Sequence, residues 1–198
     1  MRSERPDHVW FAPPCKKWSQ MQELNIAQGQ EERLMADRRR LEATHLRVTR
    51  EGYDEQQKNG RHAYAEHPTQ SRMWRNYLMM NMRGYDATLD QCAYGLRIWK
   101  NGVLLGPAKK QTRIRTTNYH FAIGISEKCK CEPRPGGGSP HVNLEGMGPI
   151  LRQAQNYPKQ LCKRAALLIV VTSFCDLNGF LSDSHHDDIL ALEETVDE

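Results

Sequence analysis

Apolar and polar positions switch between two periods along this chain, and the switches mark its elements. His8 to Ala12 is a short apolar run of the length of a buried strand, stopped by Pro13-Pro14. A loop is expected through Asn25. From about Glu31 to Gln57 the pattern turns helical. Glu, Arg, Leu, Ala and Gln dominate, Leu34, Leu41 and Val48 recur at seven-residue spacing, and Asn59-Gly60 is a fitting stop. His62 to Glu66 predicts a second strand, broken by Pro68. Thr69 is placed to cap a helix through about Met82, with Met73, Trp74, Tyr77, Leu78 and Met82 on its apolar face and Gly84 at its end. Tyr85 to Asp90 reads as a third strand. Lys110 to Thr117 reads as a fourth, with Thr112, Ile114 and Thr116 alternating. Asn101-Gly102 between them is a hairpin signal.

The order strand, helix, strand, helix, strand, strand predicts an α/β sheet with flanking helices. Glu132 to Pro149 is rich in Gly and Pro and reads as a loop, followed by a helix from Pro158 to about Phe174. The longest apolar run, Ala165 to Val171, is far short of the ~20 residues of a membrane span. No membrane partner is expected. Residues 1–175 form one domain in this reading. Residues 176–198 form an acidic tail, disordered or at most marginally helical.

Composition changes this picture in two ways. The mean hydropathy of −0.76 and the absence of an apolar signal stretch after Met1 point to a soluble, intracellular chain with reduced cysteines. The formal net charge of +4 also hides an asymmetry. All 28 Lys and Arg but 16 of the 24 Asp and Glu lie in residues 1–175, giving that body a charge of +12. Such a body suits a polyanion, or is simply a solvated basic surface, as Arg38-Arg39-Arg40 on the predicted helix would be.

Three chemical features stand at the ends of predicted strands. Cys15 follows the first, held by two prolines. Glu66 closes the second. Gln111-Thr112-Arg113-Ile114-Arg115 opens the fourth, where Arg113 and Arg115 share a face. If the second and fourth strands are neighbours, a thiol, a carboxylate and two guanidinium groups would meet in one cleft, with the arginines favouring the thiolate and forking onto the carboxylate. Cys129-x-Cys131, with His141 and Cys162, invites a zinc reading. The spacing is not that of the usual pair and no second pair follows, so no metal site is expected. His185-His186 with Asp187-Asp188 reads as tail composition.

These residues carry a resemblance. Pro13-Pro14-Cys15-x-x-Trp18-Ser19 resembles the Pro-Cys loop of DNA cytosine carbon-5 methyltransferases. Glu66 falls where that family's Glu-Asn-Val element stands. Gly84-Tyr85, Tyr94-Gly95 and Gln-x-Arg-x-Arg at 111–115 follow in the family's order. Glu66-His67-Pro68 and Lys110-Gln111-Thr112-Arg113 are similar to divergent members in phages and retrotransposons. The resemblance spans about residues 8–117. It implies a partial Rossmann-like methyltransferase sheet, its second half, with DNA as partner and S-adenosylmethionine as cofactor. It implies that Cys15 attacks carbon 6 of a flipped cytosine, Glu66 hydrogen-bonds the ring nitrogen, and Arg113 or Arg115 holds the base carbonyl and orients Glu66. Pro14, Lys16, Lys17, Ser19 and Gln111 would line the substrate.

The chain also departs from that pattern. Lys16-Lys17 replaces small or amide residues, and His67-Pro68 replaces Asn-Val. Fourteen residues precede Cys15 and none is glycine, whereas the family places a glycine-rich cofactor turn there. An N-terminally truncated domain, inactive alone and prone to associate through an exposed sheet edge, is therefore expected. The rival reading is a non-catalytic nucleic-acid-binding fragment, or a relic of a retrotransposon polyprotein, with Trp10, Trp18, Trp74 and Trp99 available to stack on bases.

Overall fold

A computed structural model describes residues 5–20, 22–133, 139–144 and 148–178. The chain opens with β1 (His8–Phe11), then a 3₁₀ turn at Lys16–Trp18, α1 (Gln22–Ala27), α2 (Glu31–Leu41), a π turn at Glu42–Leu46 and α3 (Arg47–Lys58). β2 (His62–Pro68), a 3₁₀ turn at Arg72–Arg75, α4 (Tyr77–Met80) and β3 (Tyr85–Asp90) follow. The hairpin β4 (Arg97–Lys100) and β5 (Val103–Pro107), β6 (Gln111–Thr116), α5 (Tyr119–Gly124), a 3₁₀ segment at Gly148–Gln155 and α6 (Lys159–Asn178) complete it.

The main sheet has four strands in the order β1-β2-β6-β3. β1 and β2 are parallel, and β6 runs antiparallel to both β2 and β3. The α/β expectation holds at this level: a mixed four-stranded sheet and a separate two-stranded one. The carboxyl ends of β1, β2 and β3 and the amino end of β6 consequently share one edge.

Alternation along β2 divides the core. Ala63 and Ala65 pack on one face against Trp18, Leu46, Tyr53, Met73, Met79 and Met82. Tyr64 lies on the other face with Ala87, Leu89, Ile114, Phe121, Leu161 and Leu168. Helices thus cover both faces, α3 on the first and α5 with α6 on the second. α6 is fixed by packing and by polar ties. The His8 ring is hydrogen-bonded to Ser173 Oγ at 2.7 Å, and His62 Nε2 lies 2.7 Å from Asp176 Oδ2.

Two helical expectations are corrected. The predicted helix from Glu31 to Gln57 forms, but the π turn inserts an extra residue and slips its phase. Leu34, Leu46, Thr49, Tyr53 and Gln56 face inward, while Val48, next in the seven-residue series, is 57% exposed. The expected helix from Thr69 to Met82 is instead two short turns. Ser71 Oγ accepts from Met73 N at 3.1 Å and Asn76 Oδ1 from Leu78 N at 3.0 Å, so each turn has its own cap and the extended backbone at Asn76 separates them. Likewise α1 occupies part of the stretch read as loop. The Asn101-Gly102 hairpin is present, with both residues at positive φ (51° and 79°) as a primed turn requires. The acidic tail from 179 onward, with His185-His186 and Asp187-Asp188, lies outside the described residues. No described helix is long and apolar enough to cross a membrane.

Candidate functional site

The carboxyl edge of the sheet gathers the polar chemistry. Glu66 sits near the end of β2 at 6% exposure, with its side chain on the α6 face. Tyr157 Oη donates to Glu66 Oε2 at 2.6 Å. Pro158 follows and disfavours helical backbone at Tyr157, so the tyrosine leaves the start of α6 and reaches back over the sheet. The Lys110 ammonium lies 5.3 Å from the centre of the Tyr157 ring. Burial pushes the Glu66 carboxyl above the ordinary range, against the opposing pull of the Tyr157 hydroxyl and Lys110. Burial and the facing carboxylate together hold the Tyr157 hydroxyl protonated as a donor.

Glu66 and Tyr157 wall a cavity of about 200 Å³ whose other lining includes Trp10, Thr112, Ile114 and Cys162. It is smaller than the roughly 300–1,000 Å³ of sites for drug-sized ligands, and the surface it exposes is apolar.

Cys15 enters from the neighbouring strand end. The residues around it pin the loop. Pro13 is buried, Trp18 N donates to Cys15 O at 3.0 Å, and the Trp18 ring is buried in the core. The Arg38 guanidinium lies 5.5 Å from the Trp18 ring, and Arg38 Nε donates to Lys17 O at 2.9 Å. Cys15 itself stays exposed, and its thiol is close enough to Tyr157 to act on it electrostatically, as Cys162 is. Cys15 and Glu66 thus both stand at the carboxyl edge of the sheet, on neighbouring strands, while the thiol that lines the cavity itself is Cys162. Pro14 and Lys16 are exposed beside them, Ser19 is half-buried, and Gln111 is half-buried at the start of β6. Lys17 is ion-paired to Asp37 at 2.5 Å.

Arg113 and Arg115 do not join this cleft. β2 and β6 are neighbours and the two arginines share a face, as expected, but the register pairs Glu66 with Ile114. Paired residues point to the same side, so the arginines lie on the opposite face from Glu66. There Arg113 donates to Asp86 at 2.9 and 2.6 Å, Arg115 at 2.6 and 2.7 Å, and Arg115 also donates to Met82 O. Arg113 stacks on Trp74 at 4.6 Å. Both guanidinium groups are committed to structure, and they do not fork onto Glu66. His67, on that same face, is fully buried and makes no well-formed hydrogen bond through either ring nitrogen.

Tyr157 takes the place in the cleft that the arginines were expected to fill. Nothing in the sequence singles it out, because it lies 91 residues from Glu66. Lys110 was visible only as part of a motif.

The zinc reading is also rearranged. Cys162 lines the pocket rather than joining Cys129, Cys131 and His141. Their fourth neighbour is Cys92, in the turn after β3, and the four side chains offer ligand atoms all within 4.8 Å of one another. Two of the four tryptophans considered for stacking, Trp18 and Trp74, are buried at 5% and 8% exposure.

Comparison with protein-family models, curated proteins and solved structures found no match for this chain.

Proposed function

We propose that the cleft formed by Cys15, Glu66 and Tyr157 holds a cytosine ring of DNA and activates its carbon 5, the chemistry of the cytosine methyltransferases that the Pro-Pro-Cys and Glu66 segments resemble. The observation that carries this reading is the buried Glu66 carboxyl, raised toward its neutral form and held by Tyr157, on the wall of a small apolar cavity at the sheet edge where the loop carrying the exposed Cys15 also lies. A carboxyl of that kind can hydrogen-bond a ring nitrogen and hold the proton that develops there. The exposed thiol can approach carbon 6 from the side.

The step balances within the protein and water. The Cys15 thiolate forms a bond to carbon 6, and the displaced π electrons move toward the nitrogen that Glu66 protonates. Carbon 5, now electron-rich, takes a proton from solvent. Loss of either carbon-5 hydrogen then expels the thiolate and restores the ring. S-adenosylmethionine is the methyl donor such a reading implies. Among the described residues the chain after β1, Ala12-Pro13-Pro14, offers no glycine turn that would hold it. The chemistry proposed for this chain stops at the activated base. Burial of Trp18 and Trp74 removes two of the four stacking platforms on which the non-catalytic nucleic-acid-binding alternative drew.

The test needs no cofactor. Cytosine-containing DNA is incubated with the chain in deuterated water, and carbon-5 deuterium is read by mass spectrometry. Exchange above the protein-free rate is expected, abolished by Cys15→Ser and strongly reduced by Glu66→Gln. Exchange that persists in Cys15→Ser, or none with the unaltered chain, overturns the proposal. Salt-sensitive DNA binding without exchange would favour the binding-only reading.

A further inference from the structure

We infer that Cys92, Cys129, Cys131 and His141 form a structural zinc site, independent of the cleft around Glu66. The four side chains come from two stretches far apart in sequence. Cys92 is fixed by the turn that ends β3. Cys129, Cys131 and His141 come from the segment after α5, whose described residues 127–133 and 139–144 contain no helix or strand. The four ligand atoms nevertheless lie within 4.8 Å of one another, and Cys129 Sγ is 3.2 Å from His141 Nε2. Zinc bound to three thiolates and one imidazole is tetrahedral, with Zn–S near ~2.3 Å and Zn–N near ~2.0 Å, so its ligand atoms stand roughly 3.5–3.8 Å apart. The observed ligand atoms are spread at most about 1 Å wider than one ion's coordination shell.

The surroundings favour a metal over simple packing of thiols. A cysteine acting as a small apolar residue is buried among apolar neighbours, but this cluster lies among polar groups. Cys129 N donates to Asp90 Oδ2 at 3.0 Å, and Cys131 N donates to Cys129 Sγ at 3.4 Å. Lys109 lies 3.9 Å from Asp90. A backbone N–H aimed at the sulfur stabilises a thiolate ligand, and a carboxylate that orders the ligand's own backbone is what an outer shell supplies.

The location gives the ion a purpose. A long irregular segment inside a compact domain needs a constraint that its backbone does not provide. Around this one, Asp90 N donates to Glu127 O at 2.8 Å and Val142 N to Pro107 O at 2.9 Å. Val142 and Leu144 pack with Ala154 on Leu96 and Ile98 of the hairpin region. An ion joining Cys92 to His141 would hold this segment to the end of β3.

The test is metal content and titration of the full chain, purified reduced. One equivalent of zinc per chain is expected. Cobalt should replace it and show the absorption of a tetrahedral thiolate site. Cys131→Ser and His141→Ala should each weaken zinc binding by more than about 100-fold, since losing a ligand costs more than losing an outer-shell partner. Cys162→Ser should keep the full equivalent. Chelation should speed amide exchange in 127–133 and 139–144 before the main sheet. Should the ligand variants not fold, titration of the unaltered chain with zinc and cobalt still decides. A folded, reduced chain that takes up no zinc, iron in place of zinc, full zinc content after both ligand substitutions, or a native disulfide from Cys129 to Cys92 or Cys131 would each overturn the inference.

Discussion

His67 makes the chain's stability sensitive to mild acid. It lies on β2 with no exposed surface, edge-on to the Trp74 ring at 6.3 Å. Burial pushes its pKa from the ordinary 6.5 down to about 4, with Lys110 adding to the effect and the Pro14 carbonyl opposing it. The unfolded chain therefore takes up a proton near pH 6.5 while the folded chain refuses it until about pH 4. The contribution is fully present above pH 6.5 and is lost as pH falls through that window. A gap of ~2.5 units at ~1.36 kcal/mol per unit amounts to about 3 kcal/mol, a large part of the ~5–15 kcal/mol that holds a domain together. Glu66 works in the opposite sense. Its raised carboxyl favours the fold below the ordinary glutamate range, and that contribution is lost as pH rises through its folded value. The comparison that isolates the histidine is His67→Leu, which fills similar space without a titrating group. Urea melts of both chains at steps from pH 7.5 to 4 should show the unaltered chain losing about 3 kcal/mol more than the variant. Parallel stability curves for the two would refute the argument, since they would mean that His67 takes its proton in the fold as readily as in the unfolded chain.

Two further outcomes follow from the pairings around the sheet. Tyr157→Phe removes the hydroxyl that donates to Glu66 and should raise the carboxyl's titration midpoint further, at a stability cost of about 1 kcal/mol near neutral pH; a carbonyl-carbon NMR titration with an unchanged or lowered midpoint would contradict it. Asp86→Ala leaves Arg113 and Arg115 without their shared carboxylate and should cost about 1–2 kcal/mol in urea melts, a figure kept low because Asp86 is partly exposed. The same arginines hold the Asp86 carboxyl below its usual range, so that loss should shrink as pH falls into the carboxylate range, and a variant as stable as the parent at neutral pH would show the cluster to be idle.

Much of the local structure was legible because short-range physics decides it. The apolar run at His8–Phe11, the alternation of Thr112, Ile114 and Thr116, the Asn101-Gly102 turn and the helix after Pro158 all formed as their patterns imply. Glu66 stands near the end of its strand as its pattern implies, and Cys15 follows β1; the parallel pairing of those strands, which only the structure shows, puts both at the carboxyl edge. What failed were extrapolations across an irregularity. Val48 continues a seven-residue series that one π turn breaks. Thr69 is a plausible cap overruled by Ser71 and Asn76, which have the donors within reach.

By itself, the sequence determined the residue chemistry of this protein and the period of each element: a proline-held thiol, a strand-end carboxylate, a pair of arginines on one strand face and three of the four members of the cysteine–histidine cluster. Tertiary structure decided who meets whom. Strand register turned Arg113 and Arg115 away from Glu66 and onto Asp86, because side chains alternate and a pairing of Glu66 with Ile114 leaves no other choice. It brought Tyr157 to Glu66 across 91 residues and put Cys92, rather than Cys162, beside Cys129. Such partners are fixed by how sheet and helices stack to bury their apolar faces, a constraint on the whole chain that leaves no mark at the individual positions it joins.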